Sequence, residues 1–177
     1  MRKSCIPNVF TFINLSCGII SILSVMDEKY AMAGVFILLA GLVDRYDGRV
    51  ARFLNVSSDL GKELDSLADL VSFGVAPSIL VYILFNLESF GPNGLLGFVV
   101  LLLFPICGAY RLARFNTAEF DGSFTGVPIT IVGCFMAFFS LIIIKLNLQL
   151  IISLYLVVLL MIIGSYLMVS KIKLRKV

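Results

Sequence analysis

Four aspartates, Asp44, Asp47, Asp65 and Asp69, stand inside stretches otherwise apolar enough to cross a bilayer. A charged side chain at the centre of a spanning helix costs about 2.5 to 3.5 kcal/mol on insertion scales, so four of one sign call for a compensating partner. Asp44 and Asp47 are three residues apart and Asp65 and Asp69 four apart, which puts each pair on one face of its helix. Two such faces joined by a short connection make an oxygen-only ligand set. That set suits a hard divalent cation, Mg2+ or Mn2+, with phosphate oxygens of a substrate completing the shell. Two such ions close together can stabilise charge on both sides of a phosphoryl transfer.

The neighbouring residues agree with phosphate chemistry. Gly48 removes a side chain where a ligand would approach the backbone, and Arg52, one turn further on, can present a planar fork to a diphosphate. A plainer reading pairs the acids with Arg45, Arg49, Arg52 and Lys62 in an interfacial ion-pair network, and spacing alone leaves both open. The absence of histidine removes Ser/His and Cys/His nucleophile systems, so a general base would be a carboxylate. Cys5, Cys17, Cys107 and Cys134 form no C-x-x-C pair and read as small core residues.

These residues need helices in lipid to hold them. With 60% hydrophobic and 14% charged residues and a mean hydropathy of +1.06, residues 1–177 are expected to form one all-α integral membrane domain. A spanning helix takes about 20 residues, and hydropathy offers six transmembrane candidates: Pro7 to Met26, Tyr30 to Phe53, Gly61 to Leu87, Gly94 to Phe115, Gly126 to Leu146 and Leu148 to Ser170. The first has a basic start like a secretory signal but lacks a small-residue cleavage site before Met26, and is expected to be a retained helix. Six spans place both termini on one side, and that side collects all but Lys29 and Lys145 of the 14 basic residues. The positive-inside rule makes it the cytoplasm. All four aspartates then lie at one depth near the cytoplasmic boundary, with Asn55, Ser57, Ser58 and Gly61 supplying the turn between their helices.

The stretch LVDRYDGRVARFLNVSSDLGKELDSLADL closely resembles the signature of the CDP-alcohol phosphotransferase family, D-x-x-D-G-x-x-A-R, eight residues, then G-x-x-x-D-x-x-x-D. Asp44, Asp47, Gly48, Ala51, Arg52, Gly61, Asp65 and Asp69 meet every spacing. The segments ELDSLADLVSFGVAPS, CGAYRLARFN, FTGVPI and SYLMVSKIK are, in order, most similar to the branch of that family whose acceptor is L-serine. The resemblance implies a six-helix enzyme of the cytoplasmic membrane that moves a phosphatidyl group from CDP-diacylglycerol to L-serine and releases CMP. It further implies that the four aspartates hold two divalent cations, that Asp69 is also the base, that Gly48, Arg52 and Ser58 contact the CDP portion, and that the protein is a homodimer. The same family with another acceptor, glycerol 3-phosphate or inositol phosphate, is the first alternative. A cation transporter is the second, and it predicts polar residues continuing to the outer face, where the helices are nearly all apolar.

Secondary candidates lie at similar depth. Arg111, Arg114 and Asn116 could bind a serine carboxylate or a phosphate, although the arginines also serve as positive-inside anchors. Thr11 and Asn14 could read the cytidine or its ribose, or form an interhelical hydrogen bond. Glu63 suits a helix start. Gly133 and Ala137 permit close packing within one chain or between two, and the tail Lys171, Lys173, Arg175 and Lys176 reads as an anchor on anionic lipid. No nucleic-acid partner is expected.

Overall fold

The computed structural model describes residues 5–54, 59–117, 123–147 and 150–175. The side chains of residues 5–8, 47–54, 59, 123–125, 150–153 and 173–175 lie outside the described part. Six long helices occupy the six apolar stretches: α1 (Cys5–Met26), α2 (Tyr30–Leu54), α3 (Asp59–Asp69, Leu70–Val75 and Ala76–Leu84 in continuity), α4 (Leu95–Thr117), α5 (Ile129–Leu146) and α6 (Leu150–Val169). By length and composition four segments can cross a membrane: Val9–Met26, Leu60–Leu84, Pro92–Thr117 and Ile129–Leu146. Leu154–Val169 is apolar and shorter.

Hydropathy did not announce the remaining elements. Short 3-10 turns at Leu87–Ser89 and Pro92–Gly94 lead into α4. Strands β1 (Ser123–Thr125) and β2 (Lys173–Arg175) pair antiparallel, Phe124 opposite Leu174. This ribbon fastens the α4–α5 connection to the segment after α6, so both lie at one end of the bundle.

The middle of α3 departs from α-helical geometry. Leu70–Val75 is a π-helix, and the Ala76 N–H reaches the Val71 carbonyl across five residues. Pro77 supplies a cause: it has no N–H for the carbonyl four residues back, Phe73, and its ring crowds that carbonyl. Widening the turn relieves the crowding. The wide turn sits in the centre of the bundle, against α1, α4 and α5, with Ser72, Phe73 and Gly74 buried.

Close approach there requires a glycine. A Cβ on Gly133 of α5 would lie 2.5 Å from the Phe73 carbonyl oxygen and 2.8 Å from Phe73 Cα. The small pair Gly133 and Ala137 therefore works inside one chain, both residues buried against its own core. Phe73, Phe85, Phe104, Ile37 and Leu80 form the centre of that core. Cys17, Cys107 and Cys134 are free thiols packed against it, as their scattered positions suggested.

Candidate metal and substrate site

The site gathers where α1, α2, α3 and α4 converge. Asp44 comes from α2, and Asp65 and Asp69 come from the first half of α3, one helical turn apart. Each of the three offers a carboxylate oxygen, and these oxygens all lie within 4.8 Å of one another. Asp44 and Asp65 are half-buried, whereas Asp69 is only 8% exposed. The side chain of Asp47 lies outside the described residues, as do those of Gly48's neighbours and of Arg52. Gly48 and Arg52 are described as parts of the α2 backbone, and Ser58 falls outside the described residues altogether.

Asp69 is held from α1. The Asn14 side-chain amide on α1 donates to its Oδ1 at 3.0 Å, and Asn14 is itself 1% exposed. The Ser72 hydroxyl, in the π-helical turn, donates to the Asn14 backbone carbonyl at 2.9 Å. Thr11, one turn before Asn14, is buried on the same side of α1. Of the two roles open to Asn14, the cytidine or an interhelical hydrogen bond, its amide takes the second, from α1 to Asp69 of α3. Ser72 went unnoticed in the sequence, yet Ser66, Asp69 and Ser72 recur at intervals of three, a polar stripe in a greasy helix that could have pointed to it.

The three candidates at the end of α4 separate by role. Arg111 is buried, lies within electrostatic reach of Asp69, and has the Phe115 ring 5.7 Å from its guanidinium carbon. Arg114 turns to α6 instead, donating from Nη1 to the Val169 carbonyl at 3.0 Å and from Nη2 to the Ser170 carbonyl at 3.3 Å. Those are carbonyls at a helix C-terminus, where a cation is favoured. Asn116 donates to Ser66 Oγ at 3.0 Å and to Glu63 Oε1 at 3.3 Å, tying α4 to the acidic half of α3. Glu63, expected only to suit the helix dipole, is thus also an acceptor between helices.

Arg114→Ala is expected to lower the unfolding free energy by about 1.5 to 3 kcal/mol, the worth of a hydrogen bond to a charged group. Thermal unfolding in detergent measures it, and an unchanged midpoint removes the clamp. Cys134 is also a neighbour of the site, within electrostatic reach of Asp44 and Asp69. Its sulfur would lie 2.6 Å from a Cβ built on Gly41, so the α5 thiol fills the gap that this glycine leaves in α2.

Carboxylates brought this close in a membrane helix bundle repel one another, and burial denies them water. An all-oxygen donor set at this spacing fits a hard divalent cation. Fold and site together define a multi-pass membrane protein with a carboxylate cluster suited to phosphate chemistry. The chain belongs to the CDP-alcohol phosphatidyltransferase family, which it matches over residues 4–170.

It is 39% identical over 138 residues to a CDP-diacylglycerol–serine O-phosphatidyltransferase of Bacillus subtilis (strain 168), covering 76% of this chain and 75% of that protein. A protein with the same name from Helicobacter pylori (strain J99) is 41% identical over 126 residues, 70% of this chain and 52% of its own length. An archaetidylserine synthase of Methanothermobacter thermautotrophicus is 37% identical over 139 residues, 77% of this chain and 58% of its own length. The chain thus spans three quarters of the first of these relatives and little more than half of the other two.

Proposed function

We propose that this protein transfers the phosphatidyl group from CDP-diacylglycerol to L-serine, giving phosphatidylserine and CMP. The observation that carries the reading is the meeting of Asp44, Asp65 and Asp69 within one family signature. The acceptor is supported by the relatives: those named for a diacylglycerol lipid and the one named for an archaeal lipid differ in the lipid and share serine.

Residues 1–177 act as one membrane domain with six spans in the cytoplasmic membrane, both termini and the site facing the cytoplasm. The distribution of Lys and Arg supports that orientation. The ribbon between β1 and β2 supports an outward and return crossing by α5 and α6, because it holds the α4–α5 connection and the C-terminal segment on one side. The protein works as a homodimer.

In the reaction the serine hydroxyl oxygen attacks the phosphorus that carries diacylglycerol. A new P–O bond forms, the bond to the CMP oxygen breaks, and the hydroxyl proton passes to Asp69. A hydroxyl is a weak nucleophile near neutral pH and needs such a base beside it. Asp44, Asp47, Asp65 and Asp69 would hold the divalent cations, Mg2+ or Mn2+, two per site. When bound, these ions supply Lewis-acid stabilisation of the diphosphate charge. Gly48, Arg52 and Ser58 take the CDP portion, with Thr11 toward the cytidine, and Arg52 stabilises charge on departing CMP.

The test is an acceptor panel with labelled CDP-diacylglycerol, following CMP release with L-serine, glycerol 3-phosphate and inositol phosphate. Turnover with glycerol 3-phosphate and none with serine rejects the reading. Asp44→Asn and Asp65→Asn are each expected to lower the rate and to move half-maximal activity to higher cation concentration. A rate loss with an unchanged Mg2+ titration would take that residue out of the ligand set.

A further inference from the structure

Asn14 of α1 is held at both ends by one turn of α3. Its side-chain amide donates to Asp69 Oδ1 at 3.0 Å, and its backbone carbonyl accepts from the Ser72 hydroxyl at 2.9 Å. Asp69 and Ser72 are three residues apart, so the two bonds close a ring through Asn14, and all three residues are buried. Sliding or turning α1 against α3 breaks one bond or the other.

The second bond is not one that α1 needs for itself. Inside the helix the Asn14 carbonyl has an ordinary partner in the N–H of Gly18, four residues on. A carbonyl oxygen carries two lone pairs, so the Ser72 hydroxyl adds to that bond without replacing it. What it contributes is a fixed place for α1 along α3. Gly18 makes the place reachable, because a Cβ there would stand 2.5 Å from Ser72 Oγ and 2.9 Å from Ser72 Cα. A larger residue would hold the helices apart at this depth and take the hydroxyl away from the carbonyl. Ser72 itself sits in the π-helical turn that begins directly after Asp69.

Resting on the reading of Asp69 as base and cation ligand, we propose that Ser72 and Gly18 are positioning residues of the phosphatidyl transfer, fixing α1 against α3 so that the Asn14 amide holds the Asp69 carboxylate in its working orientation. Ser72 acts through the backbone of Asn14, and Gly18 acts through Ser72. With one oxygen held by Asn14, the carboxylate cannot turn about its own axis, and its other oxygen keeps a single direction. A bond that adds little to stability thereby matters to rate, since misplacing a reacting group by about 1 Å can cost about 100-fold.

Double-mutant cycles on the full chain in detergent separate positioning from packing. Ser72→Ala is expected to lower kcat with L-serine by about 10-fold, a fraction of that ångström, and to leave the KM for CDP-diacylglycerol unchanged. Asn14→Ala lowers kcat at least as far. Adding Ser72→Ala to it lowers kcat no further, because the amide through which Ser72 acts is already gone. Thermal midpoints behave differently: the carbonyl of residue 14 survives the exchange to alanine, so Ser72→Ala lowers the midpoint equally in both backgrounds. A second cycle is independent of Asn14 and decides the case if Asn14→Ala turns over too slowly to compare. In it Gly18→Ala lowers kcat in the native background and costs a smaller factor in Ser72→Ala, where the hydroxyl it would strike is absent.

A Ser72→Ala protein with native kcat overturns the proposal. So do equal rate losses for Ser72→Ala with and without the Asn14 amide, or for Gly18→Ala with and without the Ser72 hydroxyl, since a merely structural contact would act alike in each pair. Near-normal turnover by Asp69→Asn overturns the underlying role of Asp69 instead, a result distinguishable from these because it requires no change at Ser72 or Gly18.

Discussion

Asp69→Asn is expected to abolish turnover, with CMP release falling to the background of a protein-free control. The exchange keeps the size of the side chain and deletes only the basic oxygen. The substituted amide can still accept from the Asn14 amino group through its own carbonyl, so the interhelical bond at 3.0 Å has a replacement. The fold and much of the binding of CDP-diacylglycerol therefore survive. A side chain 8% exposed is in any case better tolerated neutral than charged, and the variant should unfold no earlier than the native protein. Paired measurements of CMP release and thermal midpoint check both halves, and near-normal turnover would remove Asp69 from the role of base.

Gly133→Val is expected to do the opposite, destroying the site by way of the fold. A Cβ alone would sit 2.5 Å from the Phe73 carbonyl oxygen and 2.7 Å from Phe73 Cβ, and the first of these is backbone that cannot swing aside. Relieving the overlap pushes α5 away from the π-helical turn, and overpacking of this sort costs about 1 to 3 kcal/mol or more. Because the turn begins at Leu70, directly after Asp69, the displacement also moves the acidic half of α3. Gly133→Ala gives a milder form of both effects. Size-exclusion profile and thermal midpoint should report them together with activity, and a variant that keeps a native midpoint would show that the contact is softer than its geometry.

Much of this was legible in the sequence, and the parts that were not share a physical reason. Six apolar stretches marked six helices because lipid leaves few other ways to satisfy a backbone. The intervals three and four within the aspartate pairs placed Asp65 and Asp69 on one face, and a short connection brought Asp44 to them. What spacing does not carry is the partner of a polar side chain. Arg111 and Arg114, three apart in one helix, read alike in sequence. Arg111 is buried within electrostatic reach of Asp69, and Arg114 turns to carbonyls at the end of α6, more than 50 residues further along the chain. Asn14 likewise meets Asp69 across 55 residues, a separation over which periodicity says nothing. The π-helical turn was also hidden, since a uniform 100° step carried through Leu70–Val75 mis-phases the later residues of the helix by about one position. Pro77 was the visible clue.

A cation path through the bundle would need charged groups continuing past the aspartates, and in α3 the widened turn comes directly after Asp69. Beyond it, Ala76–Leu84 is wholly uncharged and ends at Phe85, whose ring stacks on Phe139 of α5 with centroids 6.3 Å apart. The charges of α3 therefore stop at Asp69, and nothing charged beyond the turn extends an ionic path from the aspartates along this helix.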